Sequence, residues 1–373
     1  MKIRCTKEQL VEGLNLVGRT VSTRTPLPIL ECILLTADQD GLRLTANDLE
    51  MSIETAPLKA EVSEAGSVAL EARLFSEIVR KMPGEEIQLE TKENNETICQ
   101  SGRARFTISG MPADEFPVMP DMERDNGYTV SAKELREMVR QTIFSVAAMD
   151  NDKPVLTGEL IQHRDNALNI VAVDGFRISY RRMDLPEEVP ETPVSVVVPS
   201  KALHELSRIL PADSEEDLVT FYFTDKRIVF DLPQFTFGSR LLEGEFVRYD
   251  QIFNEDFTTN VTVERQALLS GLERATLVAR ENKKSPVKLE IMEQSIVITS
   301  NTEKGTSYDE VSAEVDGNTL EIAFNPRYLI EALRAIDEER VVARFTTGLS
   351  PCIIRGVEDD AAKYLILPLR LRG

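Results

Sequence analysis

Two histidines, His163 and His204, are all the imidazole this chain holds, and neither sits in a catalytic pattern. His204 falls on the polar face of a predicted helix and His163 in a predicted turn before Asn166. Gln162-His-Arg-Asp165 shares its letters with a kinase catalytic loop, but the chain has neither the glycine-rich loop nor the strand lysine that such a loop needs. No GxGxxG, GxxxxGK[ST] or GxSxG stretch occurs, so nothing is shaped to cradle a phosphate or present a serine nucleophile. The acidic runs Asp213–Asp217 and Glu358–Asp360 lack the spacing of a calcium loop and read as solvated faces. Asn95-Glu-Thr97 has the form of a glycosylation acceptor, without consequence for a cytoplasmic chain. Cys5, Cys32, Cys99 and Cys352 are scattered, with no CxxC pair, and read as reduced structural thiols. Neither a metal, a cofactor nor an enzymatic activity is expected.

The remaining chemistry is electrostatic. Basic residues gather on or beside predicted helices: Arg19 and Arg24, Arg73, Arg80 and Lys81, Arg136 and Arg140, Lys201 and Arg208, Arg280, Lys283 and Lys284, Arg327 and Arg334. Acidic residues crowd the loops instead. Guanidinium and ammonium groups on one face suit contacts to phosphates that ignore base sequence. The whole-chain balance, 43 basic against 63 acidic residues and a net charge of −20, opposes nucleic-acid binding unless the cations are segregated.

The elements that would segregate them are written three times. Arg73–Met82, Lys201–Leu210 and Arg327–Ile336 each place apolar residues at helical spacing: Phe75, Ile78 and Met82; Leu203, Leu206 and Leu210; Leu329, Ala332 and Ile336. All three carry Glu-x-x-Arg in the same phase, Glu77/Arg80, Glu205/Arg208 and Glu331/Arg334. The arginines are offset by 208 − 80 = 128 and 334 − 208 = 126 residues. A period of that size marks a domain, not a solenoid repeat.

Each third opens with a short strand and a first helix. Thr6-Lys-Glu-Gln9 and Ser131-Ala-Lys-Glu134 have the shape of a capping box, and Val263-Glu-Arg-Gln266 lacks the hydroxyl cap. Leu10, Leu135 and Leu268 align in the three first helices. Pro28-Ile29, Pro154-Val155 and Pro286-Val287 then read as strand starts, followed by strands at Leu42–Ala46, Leu168–Ala172 and Ile296–Ser300. Two strands close each third after its second helix. The class is therefore α+β, with two helices packed on antiparallel sheets per domain, in domains 1–125, 126–255 and 256–373. The acidic stretches Phe116–Asn126 and Phe253–Thr258 are the expected joints, and Asp184–Glu191 an internal loop. If three such units pack edge to edge with helices on one side, the basic residues form a continuous lining.

No apolar run reaches the length of a membrane span, and Met1–Leu10 has no signal-type stretch, so a cytoplasmic location is expected.

Along its whole length the chain resembles a known family, the bacterial sliding clamps, the β subunit of DNA polymerase III. The motifs that carry the likeness are Leu27–Leu30, Leu44–Glu50, Ser101–Phe106, Asp114–Pro117, Val173–Arg177, Val197–Pro199, Phe324-Asn325 with Tyr328, and Leu367–Leu371. The resemblance implies a head-to-tail dimeric ring of six domains that encircles duplex DNA without sequence preference and acts as a replication processivity factor. Three units turning about 60° each would make half such a ring, so two copies close it. It implies DNA-facing positions at Arg24, Arg73, Arg80, Lys81, Arg136, Arg140, Lys153, Lys201, Arg208, Arg280, Lys283, Lys284 and Arg334. Phe106 and Ile108 of one protomer would meet Leu277 and Val278 of the other.

A pocket for short linear motifs of the replicative polymerase, the clamp loader and repair or translesion proteins is implied at sixteen positions. They are Leu156, Val173, Gly175, Phe176, Arg177, Ile178, Val247, Ile252, Asn325, Tyr328, Leu365, Leu367, Pro368, Leu369, Arg370 and Leu371. Phe176 stands where a histidine is usual, Val247 for a proline, Gln251 for an arginine, and leucines for methionines at 367 and 369; the pocket stays apolar. The contrasting expectation is a three-domain protein-interaction scaffold that binds no DNA.

Overall fold

The structure, a computed structural model, describes residues 1–22, 25–119, 122–185, 193–212, 214, 216–253, 256–279 and 286–370. Among these are six α-helices: α1 (Lys7–Val17), α2 (Ala72–Lys81), α3 (Ala132–Thr142), α4 (Ser200–Ile209), α5 (Arg265–Ala275) and α6 (Pro326–Ala335). They stand two to each third of the chain. Every described strand pairing within a sheet is antiparallel, so the α+β expectation holds.

The chain forms two compact units, residues 1–132 with 208–241, and residues 133–207 with 242–373. Their boundary runs through the central third instead of between thirds. In the first unit an eight-stranded sheet joins strands of the first and second thirds, where Phe235–Arg240 pairs with Met51–Thr55. A five-stranded sheet orders Ala60–Glu64, Lys2–Thr6, Glu86–Thr91, Glu96–Ser101 and Ala104–Ser109. In the second unit a twelve-stranded sheet starts at edge strand Ser195–Pro199 and ends at edge strand Leu320–Phe324. Its two halves join where Arg177–Asp184 pairs with Ala362–Ile366.

Helix α2 shows why the repeat folds as it does. Ala72, Phe75, Ile78 and Val79 are buried on one stripe, while Arg73, Arg80 and Lys81 stay exposed. Glu71 caps it, its carboxylate accepting from the backbone N–H of Arg73 at 3.0 Å and of Leu74 at 2.6 Å. Arg80 and Lys81 sit at the negative end of the helix dipole. Thr6 caps α1 through Gln9 N–H, as the capping box predicts. The third first helix, α5, does have a cap: the Glu264 carboxylate accepts from Gln266 and Ala267.

Two sequence expectations change. Pro28–Glu31 and Pro154–Thr157 are single 3-10 turns, and their strands begin only at Cys32 and Gly158. Proline's fixed φ and missing N–H suit the first position of a helical turn better than a ladder. His163 lies inside strand Gly158–Arg164, because Asp165 and Asn166, both at positive φ, make the two-residue turn alone. The four cysteines are free and buried, and burial pushes the Cys5 and Cys32 thiols up to about 11 and Cys99 to about 12, so they stay protonated. The loop foreseen at Asp184–Glu191 lies outside the described residues from 186 onward, as do parts of the joints 116–126 and 253–258.

Candidate functional site

Most of the sixteen pocket positions converge in the second unit. Strand Ala167–Val173 hands over to strand Arg177–Asp184 through Asp174, Gly175 and Phe176. Gly175 takes φ +89°, open to glycine at no steric cost. Asp174 Oδ1 accepts from the backbone N–H of Phe176 at 2.9 Å and of Arg177 at 3.1 Å, fixing the turn. Phe176 is thereby held outward, 55% exposed. Its ring stacks on Tyr328 in the first turn of α6, centroids 6.4 Å apart and planes 20° from parallel.

Beneath this aromatic pair lies Arg177, only 5% exposed. Its guanidinium carbon is 4.5 Å from the Tyr328 ring centroid and 5.3 Å from that of Phe144. Nε donates to Asp174 Oδ2 at 3.0 Å, Nη1 to Glu331 Oε2, and Nη2 to the Phe144 carbonyl. Two carboxylates and a carbonyl, one on each guanidinium nitrogen, thus compensate a buried cation that would otherwise be costly. Burial, and then the Asp174 charge, raise the Tyr328 phenol above its ordinary value, so it remains a neutral donor. Asn325, half-buried, spends its side-chain oxygen capping α6 through Arg327 N–H at 3.1 Å.

The apolar floor is one cluster. Leu156, Val173, Ile178 and Leu365 are buried with Leu160, Val171, Val197, Tyr249 and Ile353, and Val247 packs against them half-buried. Past Ile366 the chain leaves the sheet: Leu367 N–H donates to the Phe176 carbonyl at 2.9 Å and Leu369 N–H to the Ala323 carbonyl at 2.7 Å. Leu367, Ile252 and Arg370 are exposed; Pro368 and Leu369 are half-buried. Leu371 lies outside the described residues. The result is a buried aliphatic base with an aromatic and aliphatic rim, a form that suits an extended peptide more than a polar metabolite. A cavity of about 500 Å³ adjoins it between Leu160, Gln162, Ser195 and the segment 244–251, and Val247 lines both.

Leu349 is a further exposed apolar residue without a motif of its own. It is 72% exposed on the turn after Arg340–Phe345, whose Gly348 sits against the Glu321 carbonyl. Glu321 shares a strand with Ala323, which receives Leu369. Thr346-Thr-Gly-Leu-Ser350 reads as an ordinary turn, so the sequence carries no signal for this exposed leucine.

Arg73, Arg80, Lys81, Arg136, Arg140, Lys201, Arg208 and Arg334 lie on helices, and several of them pair with carboxylates. Arg73 pairs with Glu77, Arg140 with Glu137 and Asp337, and Arg334 with Glu273. Arg80 donates to Asn15 Oδ1. Lys81, Lys153, Lys201 and Arg208 are exposed and Arg136 is half-buried. Arg24, Arg280, Lys283 and Lys284 lie outside the described residues. Of the positions expected at a dimer contact, Phe106 and Leu277 are exposed, Val278 is half-buried and Ile108 is 2% exposed. Phe106 belongs to Ala104–Ser109, an edge strand.

Among the described residues no group of three His, Cys, Asp or Glu side chains could hold a metal ion. No helix there is long and apolar enough to cross a membrane.

Three family profiles cover the chain in order: the DNA polymerase III beta subunit N-terminal domain over residues 1–120, its central domain over 129–248 and its C-terminal domain over 250–370. The chain belongs to the DNA polymerase III beta subunit family. The beta sliding clamp of Staphylococcus epidermidis is 34% identical over 379 residues, spanning 99% of each chain. The crystal structure of the DNA polymerase sliding clamp from Bacillus subtilis superposes with a TM-score of 0.95 at 34% identity, covering all of both chains. The Thermotoga maritima beta subunit gives 0.89 at 27%, again over the whole of both. The fold of this family member is accordingly the three-domain clamp fold.

Proposed function

We propose that this chain is the processivity factor of DNA replication in its cell: a homodimer closed into a ring around duplex DNA, which slides and tethers the replicative polymerase. The observation that carries the reading is the match of the family, domain by domain, to practically the entire chain. The mechanism is topological and makes or breaks no bond. A closed ring leaves the duplex only by opening or at an end, so weak phosphate contacts from the helix faces suffice and the net charge of −20 is no obstacle. A polymerase held by the ring rebinds its primer end at the effective concentration of an intramolecular event.

The partner segments dock at the rim formed by Phe176, Tyr328, Leu367 and Ile252 over the aliphatic floor. Polymerase, clamp loader and repair or translesion proteins would compete for this place. Placing the ring on DNA falls to a separate ATP-using machine. Phe106 and Leu277, exposed in the isolated chain, would be covered where protomers meet.

The decisive experiment loads the protein on a nicked circular plasmid with the cognate loader and ATP, then linearises the plasmid. Retention on the circle with release on cutting is the expected outcome. Equal retention on both forms would mean ordinary affinity binding, and retention on neither would favour a scaffold that does not encircle DNA.

A further inference from the structure

Glu331 stands between two guanidinium groups. Its Oε2 accepts from buried Arg177, and its Oε1 accepts from Arg327 Nε at 2.8 Å. Arg327 is 70% exposed, on the solvent-facing side of α6. Glu331 follows Tyr328 by three residues on that helix and so shares its face. The bond from Arg177 to Glu331 therefore presses the guanidinium against the Tyr328 ring, on which Phe176 stacks. Asp174, the other carboxylate on Arg177, also holds the backbone of the Phe176 turn. The rim is kept in place by groups behind it.

We propose that Glu331 is a positioning residue of the peptide pocket, acting through Arg177, and that it makes the pocket responsive to whatever Arg327 binds. The inference rests on the reading that the pocket takes a partner peptide and that the exposed face of α6 meets DNA. A phosphate is a competing acceptor for Arg327. When Arg327 turns to a phosphate, the Glu331 charge is no longer shared and falls wholly on Arg177. The guanidinium is held harder against Tyr328, the rim loses freedom, and a peptide gives up less entropy on docking. By linkage, a docked peptide favours the same phosphate contact in equal measure.

The test uses the full-length protein and a fluorescein-labelled peptide covering the clamp-binding segment of the cognate replicative polymerase, read by anisotropy at low salt. Glu331→Gln weakens peptide binding at least about tenfold, and Glu331→Asp recovers part of it. Saturating short duplex DNA tightens the wild-type protein's hold on the peptide about twofold, the scale of an exposed helical ion pair. It leaves Arg327→Gln unaffected. Should Glu331→Gln not fold, Arg327→Gln decides, being a change at an exposed position. Wild-type affinity in Glu331→Gln, or equal tightening by duplex in Arg327→Gln, overturns the inference. Absence of peptide binding by the wild-type protein instead overturns the pocket reading beneath it.

Discussion

Phe176 and Tyr328, far apart in sequence, stack with ring centroids 6.4 Å apart. The contact ties the turn that ends one core strand to the first turn of α6, while leaving Phe176 mostly in solvent. An exposed, preorganised aromatic ring contributes much to binding and little to folding. Phe176→Ala is therefore expected to weaken a partner peptide about tenfold in calorimetry. Its melting temperature should stay near that of the parent. A large fall in melting temperature with unchanged peptide affinity would show that the ring belongs to the core.

The tail after Ile366 depends on two backbone bonds, Leu367 to Phe176 and Leu369 to Ala323. Deleting residues 369–373 removes the second and uncovers the edge of strand Leu320–Phe324. Peptide binding should be lost while the dimer persists in analytical ultracentrifugation, because Phe106 and Leu277, the proposed contact residues, are untouched. A truncated protein that still binds peptide in calorimetry would place the site elsewhere.

Arg80 and Lys81 end α2 with exposed side chains. Replacing both by alanine should weaken low-salt contact with duplex DNA and lower the steepness of log affinity against log salt by about two, one for each lost phosphate contact. An unchanged salt slope would remove α2 from the lining. Arg140 is a poorer target: its pairing with Glu137 and Asp337 means a phosphate must first displace carboxylates.

The fold was legible where burial is one-sided. The helix stripes through Phe75, Leu203 and Leu329 repeat because each helix has one apolar face and one wet one. Gly305–Gly317 has a weak signal for the opposite reason: in thirteen residues only Val311 is buried, its apolar alternation is confined to Val311, Ala313 and Val315, and ladders on both flanks hold the rest. Ala60–Glu64, an edge strand with no buried residue, fails likewise. The caps by Glu71 and Glu264 carry no hydroxyl signature, because a carboxylate does the same work there. At the site, the identities of Phe176 and Tyr328 could be named through the family likeness. The bond from Arg177 to Glu331 crosses 154 residues and has no local signature.

Glu159 offers a last, independent check. It is fully buried in strand Gly158–Arg164, and burial pushes its carboxyl up to about 8 against a smaller lowering effect of the nearby Thr142 hydroxyl, which donates to the Met138 carbonyl. The unfolded chain titrates this group near about 4.3. Between those values the folded state keeps a proton that the unfolded state has released, so stability falls as pH rises through this window and levels above it. One such group contributes a slope of at most about 1.4 kcal/mol per pH unit. Asp309, held below the usual carboxylate range by its bond from Arg274, acts in the opposite sense, with stability lost only as acid protonates it. Urea midpoints should therefore be compared from pH 5.5 upward, where that pair is intact. The parent's midpoint should decline toward pH 8.5, and Glu159→Gln, having no proton to lose, should flatten the decline. Parallel curves for the two proteins would mean that Glu159 is already ionised in the folded state and has found a partner there.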